Sequence, residues 1–373
     1  MPLLDRYIAR QYLTNVLALL AIILCFVVMI DVSLNLDRLA RAAGELAERR
    51  GEPDPGALRR AWLTAWVSID LWWPRLVQLF GYLLGMILVG AMGFTGAQLA
   101  RHRELLAILS SGQSLYRVLR PILVVAAGFV ALQAANRELL IPRVAPLLQR
   151  DHGDAGKPAS SISSIPLASD GQSVRLRADR FDPAAGTLSG VYALLTDDQG
   201  RTRAVVRAES ARWDPAAGAW ILDDPDTTPR GPDAPSDIRT IETDLDPVRL
   251  RTRRDANYRQ SLSFAQTGDL LAQRDALDRR TAEELARVRW GRFTIAATNI
   301  LALLIATPFF LPRRPDELLG RAVRGAPLAL LALVGGVLGS SAVVPGLPPQ
   351  LSVVLPVAIT APIAIACLST LRT

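Results

Sequence analysis

Leu13-Thr14-Asn15-Val16-Leu17-Ala18-Leu19-Leu20-Ala21-Ile22-Ile23-Leu24-Cys25-Phe26-Val27-Val28-Met29-Ile30 is apolar throughout except at Thr14 and Asn15. Its length is close to the roughly 20 residues that a helix needs to cross a bilayer. Tyr7 and Tyr12 stand at its start, where amphipathic rings favour the membrane interface; Arg6 and Arg10 precede it and favour a cytoplasmic N-terminus. A cleaved secretion signal has a shorter apolar core, about 7–15 residues, with small residues at a cleavage site close behind. Here Asp31, Asn35 and Asp37 follow, so the stretch reads as an uncleaved anchor.

Working outward, Arg38 to Arg60 is charged and broken by Gly51-Glu52-Pro53-Asp54-Pro55-Gly56, which reads as a loop. Trp62, Trp66, Trp72 and Trp73 then form an aromatic belt, and Pro74 suits the first turn of a helix. Leu76 to Ala97 is a second span whose glycines, Gly81, Gly85, Gly90, Gly93 and Gly96, let helices approach closely. Pro121 to Ala135 is a third, closing at Asn136-Arg137-Glu138. Arg289 and Arg292 open a fourth, Phe293 to Leu311, and Pro327 to Val344 with Leu351 to Leu371 completes a final hairpin. Two short connections are strongly basic: Gln98 to Arg120, where Arg101, His102, Arg103, Arg117 and Arg120 face the single acid Glu104, and the run from Pro312-Arg313-Arg314-Pro315 to Arg324. Short Arg-rich loops stay in the cytoplasm, so six spans with both termini inside are expected.

The middle of the chain has another period. Ser173 to Arg180 and Arg203 to Trp213 alternate polar and apolar residues, as half-buried strands do. Phe181-Asp182-Pro183-Ala184-Ala185-Gly186 recurs as Trp213-Asp214-Pro215-Ala216-Ala217-Gly218, each copy followed by an apolar strand, so a β-meander is expected. Leu262 to Leu285 reads as helical.

Composition excludes several functions. Of 373 residues, half are hydrophobic and 21% charged, and the two classes are segregated along the chain. The net charge of +7 comes from scattered arginines beside the spans, without the basic stripe and aromatics of a nucleic-acid surface. Cys25 and Cys367 lie in apolar runs, and His102 and His152 are isolated, so no Cys/His metal cluster and no cofactor is expected. Neither a dinucleotide fingerprint nor a Walker-type phosphate loop occurs in the soluble regions. Asp197-Asp198 and Asp223-Asp224 fall in turns, where aspartate is favoured for backbone reasons. The spans carry no paired ionisable residues of the kind a proton relay needs, and no catalytic residue is assigned.

The segment Arg103-Glu104-Leu105-Leu106-Ala107-Ile108-Leu109 is a short helix pattern that stops at Ser110-Ser111-Gly112, where glycine suits a C-terminal cap. Such a helix can rest on the membrane surface or be gripped by a cytosolic partner. Glu104 at its start is favoured by the helix dipole, by about 0.3–1 kcal/mol, whether or not it also meets a partner. Placed just after the second span and continued by Gln113-Ser114, this segment resembles the coupling helix of the lipopolysaccharide-export permeases of the LptF/LptG type. The strand, turn and strand from Ala208 to Leu222 resemble that family's periplasmic domain, and the lead-in to Arg289 and Arg292 is similar too. Gly81-Tyr82 stands where the family often has leucine-proline, and the loop from Leu36 to Leu58 is longer than usual.

The resemblance implies a membrane all-α fold of six transmembrane helices, three plus three, with an inserted periplasmic β-jelly-roll-like domain. Residues 1–140 would hold the first three helices with the coupling helix at about 101–112, residues 141–285 the β-rich domain, and residues 286–373 the last three helices. It implies a non-enzymatic permease that pairs with a paralogous permease subunit as a heterodimer. A dimeric cytosolic ABC ATPase would drive it, and lipopolysaccharide or a related lipid would pass to a periplasmic bridge protein. Glu104, Leu105, Ile108, Leu109 and Gly112 would seat in the ATPase. Arg38 and Arg41 after the first span and Arg137 at the end of the third, all near one leaflet, are candidates for pairing with acidic head groups; interfacial snorkelling is the plainer reading. The rival function is a membrane-anchored periplasmic scaffold or binding protein with no ATPase partner.

Overall fold

A computed structural model describes residues 3–49, 56–148, 165–170, 173–182, 185–197, 201–230, 237–247, 250, 261–272, 279–311, 318–342, 344 and 346–369. The chain divides into two compact units, Met1–Val144 with Glu283–Thr373, and Ala145–Ala282.

The first unit is helical. α1 (Leu3–Leu34), α2 (Leu36–Arg49), α3 (Ala57–Arg101), α4 (Glu104–Ser110) and α5 (Leu115–Ala135) are followed by a π turn (Asn136–Leu140) and α6 (Ile141–Leu148). After the second unit come α8 (Arg279–Phe310), α9 (Leu318–Ser341) and α10 (Pro349–Ser369); α7 (Phe264–Ala272) precedes them. Six helical stretches among the described residues are long and apolar enough to cross a membrane: α1, α3, Leu115–Ala145, α8, Val323–Ser341 and α10. The chain is a multi-pass membrane protein.

α1 and α3 run antiparallel, tied by rungs that match sequence positions in reverse. The Tyr12 hydroxyl donates to the Leu88 carbonyl at 2.9 Å, Asn15 Nδ2 to Thr95 Oγ1 at 2.9 Å, and Gln11 Nε2 to Gln98 Oε1 at 3.0 Å. Near the other end, Trp72 Nε1 donates to Asp31 Oδ2 at 3.0 Å. Within the bundle, glycine permits backbone approach. A Cβ on Gly96 would collide with the Phe310 carbonyl oxygen, and one on Gly336 with the Thr298 side chain. Apolar burial drives little association between helices already in lipid, so small residues and interhelical hydrogen bonds hold such a bundle.

Three features depart from the sequence reading. The stretch Leu36–Arg49 is α2, not loop: Leu39, Ala42, Ala43 and Ala47 recur at helical spacing and are buried, and α2 packs on α3. Gly51 to Pro55 lies outside the described residues. Pro74 sits in the interior of α3, which begins at Ala57 rather than near Leu76. The third span does not close at Asn136-Arg137-Glu138 but continues through the π turn into α6. Partners for the polar groups make this possible: Asn136 Nδ2 donates to the Val77 carbonyl at 2.8 Å, and Glu138 pairs with Arg292.

The second unit is a seven-stranded antiparallel sheet. β1 (Ile165–Ser169), β2 (Val174–Asp182), β3 (Thr187–Thr196), β4 (Thr202–Asp214) and β5 (Ala219–Asp223) are neighbours in chain order, with β7 (Thr240–Glu242) beyond β5. The long β4 serves two partners, β5 along Ser210–Asp214 and β6 (Asp226–Pro229) along Ala204–Arg207. The expected meander is present, and the fold is a set of membrane helices with an inserted antiparallel β unit. Alternation puts Val174, Leu176, Ala178, Leu188, Val191, Ala193, Ala204, Val206 and Ala208 into one core. Trp220, its largest side chain, donates Nε1–H to the Leu245 carbonyl at 2.8 Å and meets Trp213 edge to face at 5.3 Å. The repeated sequence makes a repeated turn. Asp182 and Asp214 each accept a backbone N–H, from Ala185 and Ala216, and Gly186 (φ +61°) and Gly218 (φ +60°) take the left-handed conformation that glycine adopts without strain. Pro183 and Ala184 lie outside the described residues, as do Asp198 to Gly200 of the next turn.

Candidate functional site

α4 is set between two membrane spans by backbone geometry. Arg103 takes φ +58°, rare for a residue with a Cβ, and reverses the chain between the end of α3 and the start of α4. At the other end the Gly112 N–H donates to the Leu109 carbonyl at 3.0 Å with φ +76°, and α5 begins at Leu115. Ser110 and Ser111 return their hydroxyls to the Ala107 and Ile108 carbonyls. The helix is therefore a short, closed element whose orientation is fixed at both ends.

Its faces divide differently from the sequence expectation. Leu105 is 3% exposed and belongs to the bundle's own core, against which Ile108 and Leu109 are also partly packed. Glu104 accepts a hydrogen bond from the Tyr7 hydroxyl at 3.0 Å and has His102 Nδ1 at 3.7 Å, which ties α4 to the first turns of α1. The outward face carries Arg103, Leu106 at 50% exposure, Ala107 and Ser110. Leu106 and Tyr7 were missed because a seven-residue helix offers too few turns to fix which side meets the bundle.

The arginine candidates lie in two places. Arg38 and Arg41 are exposed on the polar face of α2, where Arg41 Nε also donates to the Asp37 carbonyl at 3.2 Å. Arg137 is on the π turn, beside Arg292, Glu138 and the Tyr82 phenol. There Arg292, whose side chain is 7% exposed, pairs with Glu138, with Arg289 nearby. This cluster corrects the expectation that the spans carry no paired ionisable groups: Glu138 belongs to the third span because the helix does not end before it. A π turn inserted in a membrane helix frequently marks a functional position. Below it, Asn299 Nδ2 donates to Gln133 Oε1 at 3.0 Å and Gln133 Nε2 to the Gly81 carbonyl, so polar contacts join α3, α5 and α8. Among the described residues no group of His, Cys, Asp and Glu could hold a metal ion. The basic run at Arg313 and Arg314 lies outside them.

Residues 63–370 match the profile of the family described as Lipopolysaccharide export system permease LptF/LptG. No curated protein sequence matched the chain. The match runs from within α3 to the end of α10 and takes in α4, the π-turn cluster and the whole β unit, so the chain belongs to the LptF/LptG permease family.

Proposed function

We propose that this chain is a permease subunit of an ABC transporter that lifts lipopolysaccharide, or a related lipid, from the inner membrane towards a periplasmic bridge protein. It pairs with a paralogous permease, and a dimeric cytosolic ATPase supplies the energy. The observation that carries the reading is α4: a short helix closed by Arg103 and Gly112 between two spans of a chain matched by an export-permease family. An ATPase that moves a membrane bundle needs a rigid handle. Leu105 anchors α4 to the bundle core and the Tyr7–Glu104 hydrogen bond ties it to α1, so a push on α4 reaches two helices. The surface offered to the ATPase is Arg103, Leu106, Ala107 and Ser110; Leu105, Ile108 and Leu109 transmit and do not touch. The β unit faces the periplasm on this reading.

The test is co-expression with the ATPase. Leu106→Asp is expected to abolish co-purification while leaving the permease in the membrane; undiminished complex with Leu106→Asp and with Ala107→Asp rejects the docking face, and failure of the unsubstituted chain to co-purify favours a scaffold without an ATPase. Single cysteines at Ser110 and Ser189, in a Cys25→Ser/Cys367→Ser background, read the topology. Only Ser189 should react with an impermeant thiol reagent in spheroplasts, and equal labelling overturns the placement.

A further inference from the structure

The pairing of α1 with α3 fixes the level at which α3 leaves the membrane. The apolar run of α1 ends at Asp31, and Asp31 is bonded to Trp72. From Trp72 back to Ala57 the helix therefore continues past the apolar layer; α3 as a whole, 45 residues, is about 67 Å long, against an apolar thickness of ~30 Å. This outer part has two opposite apolar faces. One holds Leu63, Val67 and Leu71, all buried, and α2 packs on α3. The other, Leu58, Trp62, Trp66, Ile69 and Trp73, follows helical spacing along about 22 Å and is uncovered, with Leu58 91% and Trp62 65% exposed.

We infer that this uncovered stripe rests on the lipid interface of the leaflet at whose edge Asp31 and Trp72 meet, making α2 and the start of α3 a hairpin seated on the membrane. Three observations choose lipid as the occupant. The stripe is continuous, on one helix, with a segment that crosses the membrane. Its residue type is the one the interface selects: four of the chain's seven tryptophans fall between Trp62 and Trp73, and indole pairs an apolar body with a polar N–H. The cation nearest the stripe, Arg59 next to Leu58, has the sign that lipid phosphate attracts. Pro74 lies between stripe and span, where the missing N–H lets a helix bend towards the surface. α2, on the far side of α3, then turns Asp37, Arg38, Arg41, Glu45 and Glu48 to water, the arrangement of an amphipathic interfacial element.

Spin labels at Ala65 or Ile69, both exposed on the stripe side, report the occupant when the full chain with Cys25→Ser and Cys367→Ser is reconstituted in phospholipid nanodiscs. Oxygen should relax these labels severalfold more than a water-soluble nickel chelate, and the order should reverse for a label at Glu48 on α2. Stronger relaxation by the chelate at Ala65 and Ile69 would place the stripe in water and overturn the inference. Low accessibility to both reagents would mean that protein covers it, and would overturn it equally. Brominated lipids provide a second reading: Trp62→Phe/Trp66→Phe should remove a large part of the quenched tryptophan fluorescence, and an unchanged quenched fraction would count against a lipid seat. Neither measurement depends on the transport reading, so the two can fail separately.

Discussion

The helical unit and the β unit solve one problem in opposite solvents. In the β unit the long strands β2 to β4 turn most of their apolar positions to one core, and the largest side chain, Trp220, is fully buried with its N–H satisfied. In the helical unit many large apolar residues point outward, Ile22, Phe26, Met29, Leu331 and Ile365 among them, while the interior mixes Leu84, Leu88 and Met92 with Gly85, Gly96, Thr95, Thr298, Asn299 and the Arg292–Glu138 pair. Water excludes apolar surface and so assembles the sheet; lipid does not, and the helices are held by close backbone approach and polar rungs. A substitution of one type should therefore do different damage in the two units.

The largest expected effect is on backbone approach. Gly96→Leu drives its side chain into the Phe310 carbonyl, and backbone cannot yield as a flexible side chain can. Overpacking costs about 1–3 kcal/mol where side chains can adjust, and more where they cannot. We expect little monodisperse protein from detergent extracts, whereas Gly128→Leu, whose added Cβ meets open space, should extract normally. Equal yields of both would remove close packing from the comparison.

Next is Trp220→Ala, which empties the β core and should cost about 3–5 kcal/mol. Trp220→Phe keeps most of the volume and loses the hydrogen bond to Leu245, so it separates packing from the polar term, for which about 1–3 kcal/mol is expected. Protease susceptibility of the β unit on heating would show both, in that order; a Phe variant as labile as the Ala variant would mean that the hydrogen bond matters more than the cavity.

How much of this was legible beforehand follows from the same contrast. Alternation has a period of two and a water-facing side, so β2 and β4 could be read from Ser173 to Arg180 and Arg203 to Trp213. The membrane spans are legible as apolar runs, but their ends are not, because a polar residue reads as an exit whether or not another helix pairs with it. Asn136, Arg137 and Glu138 looked like an end, yet each finds its company on another helix: Val77, Tyr82 and Arg292 are distant in sequence. The charged run from Arg38 looked like a loop because Arg and Glu outnumber its few leucines, and only its three- and four-residue apolar spacing marked α2. Of the candidate site, the position and closure of α4 were legible in Ser110-Ser111-Gly112; which of its faces turned inward was not, since that depends on where α1 and α3 lie.

The ion pair offers a subtler test of the polar interior. Arg292→Gln and Glu138→Gln each leave one charge among groups arranged for two, and breaking a fully buried pair costs about 3–5 kcal/mol. Glu138 is 34% exposed, so water offsets part of that, and a coupling energy nearer 1 kcal/mol is expected from the double-mutant cycle in detergent unfolding. Additive single effects would reduce the pair to two independent surface charges.

The smallest effect bears on α4. The Tyr7 hydroxyl gives Glu104 one hydrogen bond in a partly exposed setting, worth about 0.5–1.5 kcal/mol, so Tyr7→Phe should barely move the stability of the bundle. Its consequence for coupling is the informative quantity. If Glu104 serves as an internal tie that stiffens α4 against α1, then Tyr7→Phe and Glu104→Gln act on one contact. Each should then reduce ATP-driven lipid release to a similar extent, and the double variant should be no worse than either single one. If Glu104 instead meets the ATPase, Glu104→Gln should weaken co-purification, Tyr7→Phe should not, and the defects should add. The predicted result is the first, because Glu104 Oε1 is already held by Tyr7 and approached by His102, which commits the carboxylate to the bundle side. A contact of so little stability that nonetheless sets transport would show that α4 is held to the bundle by rigidity rather than by binding energy.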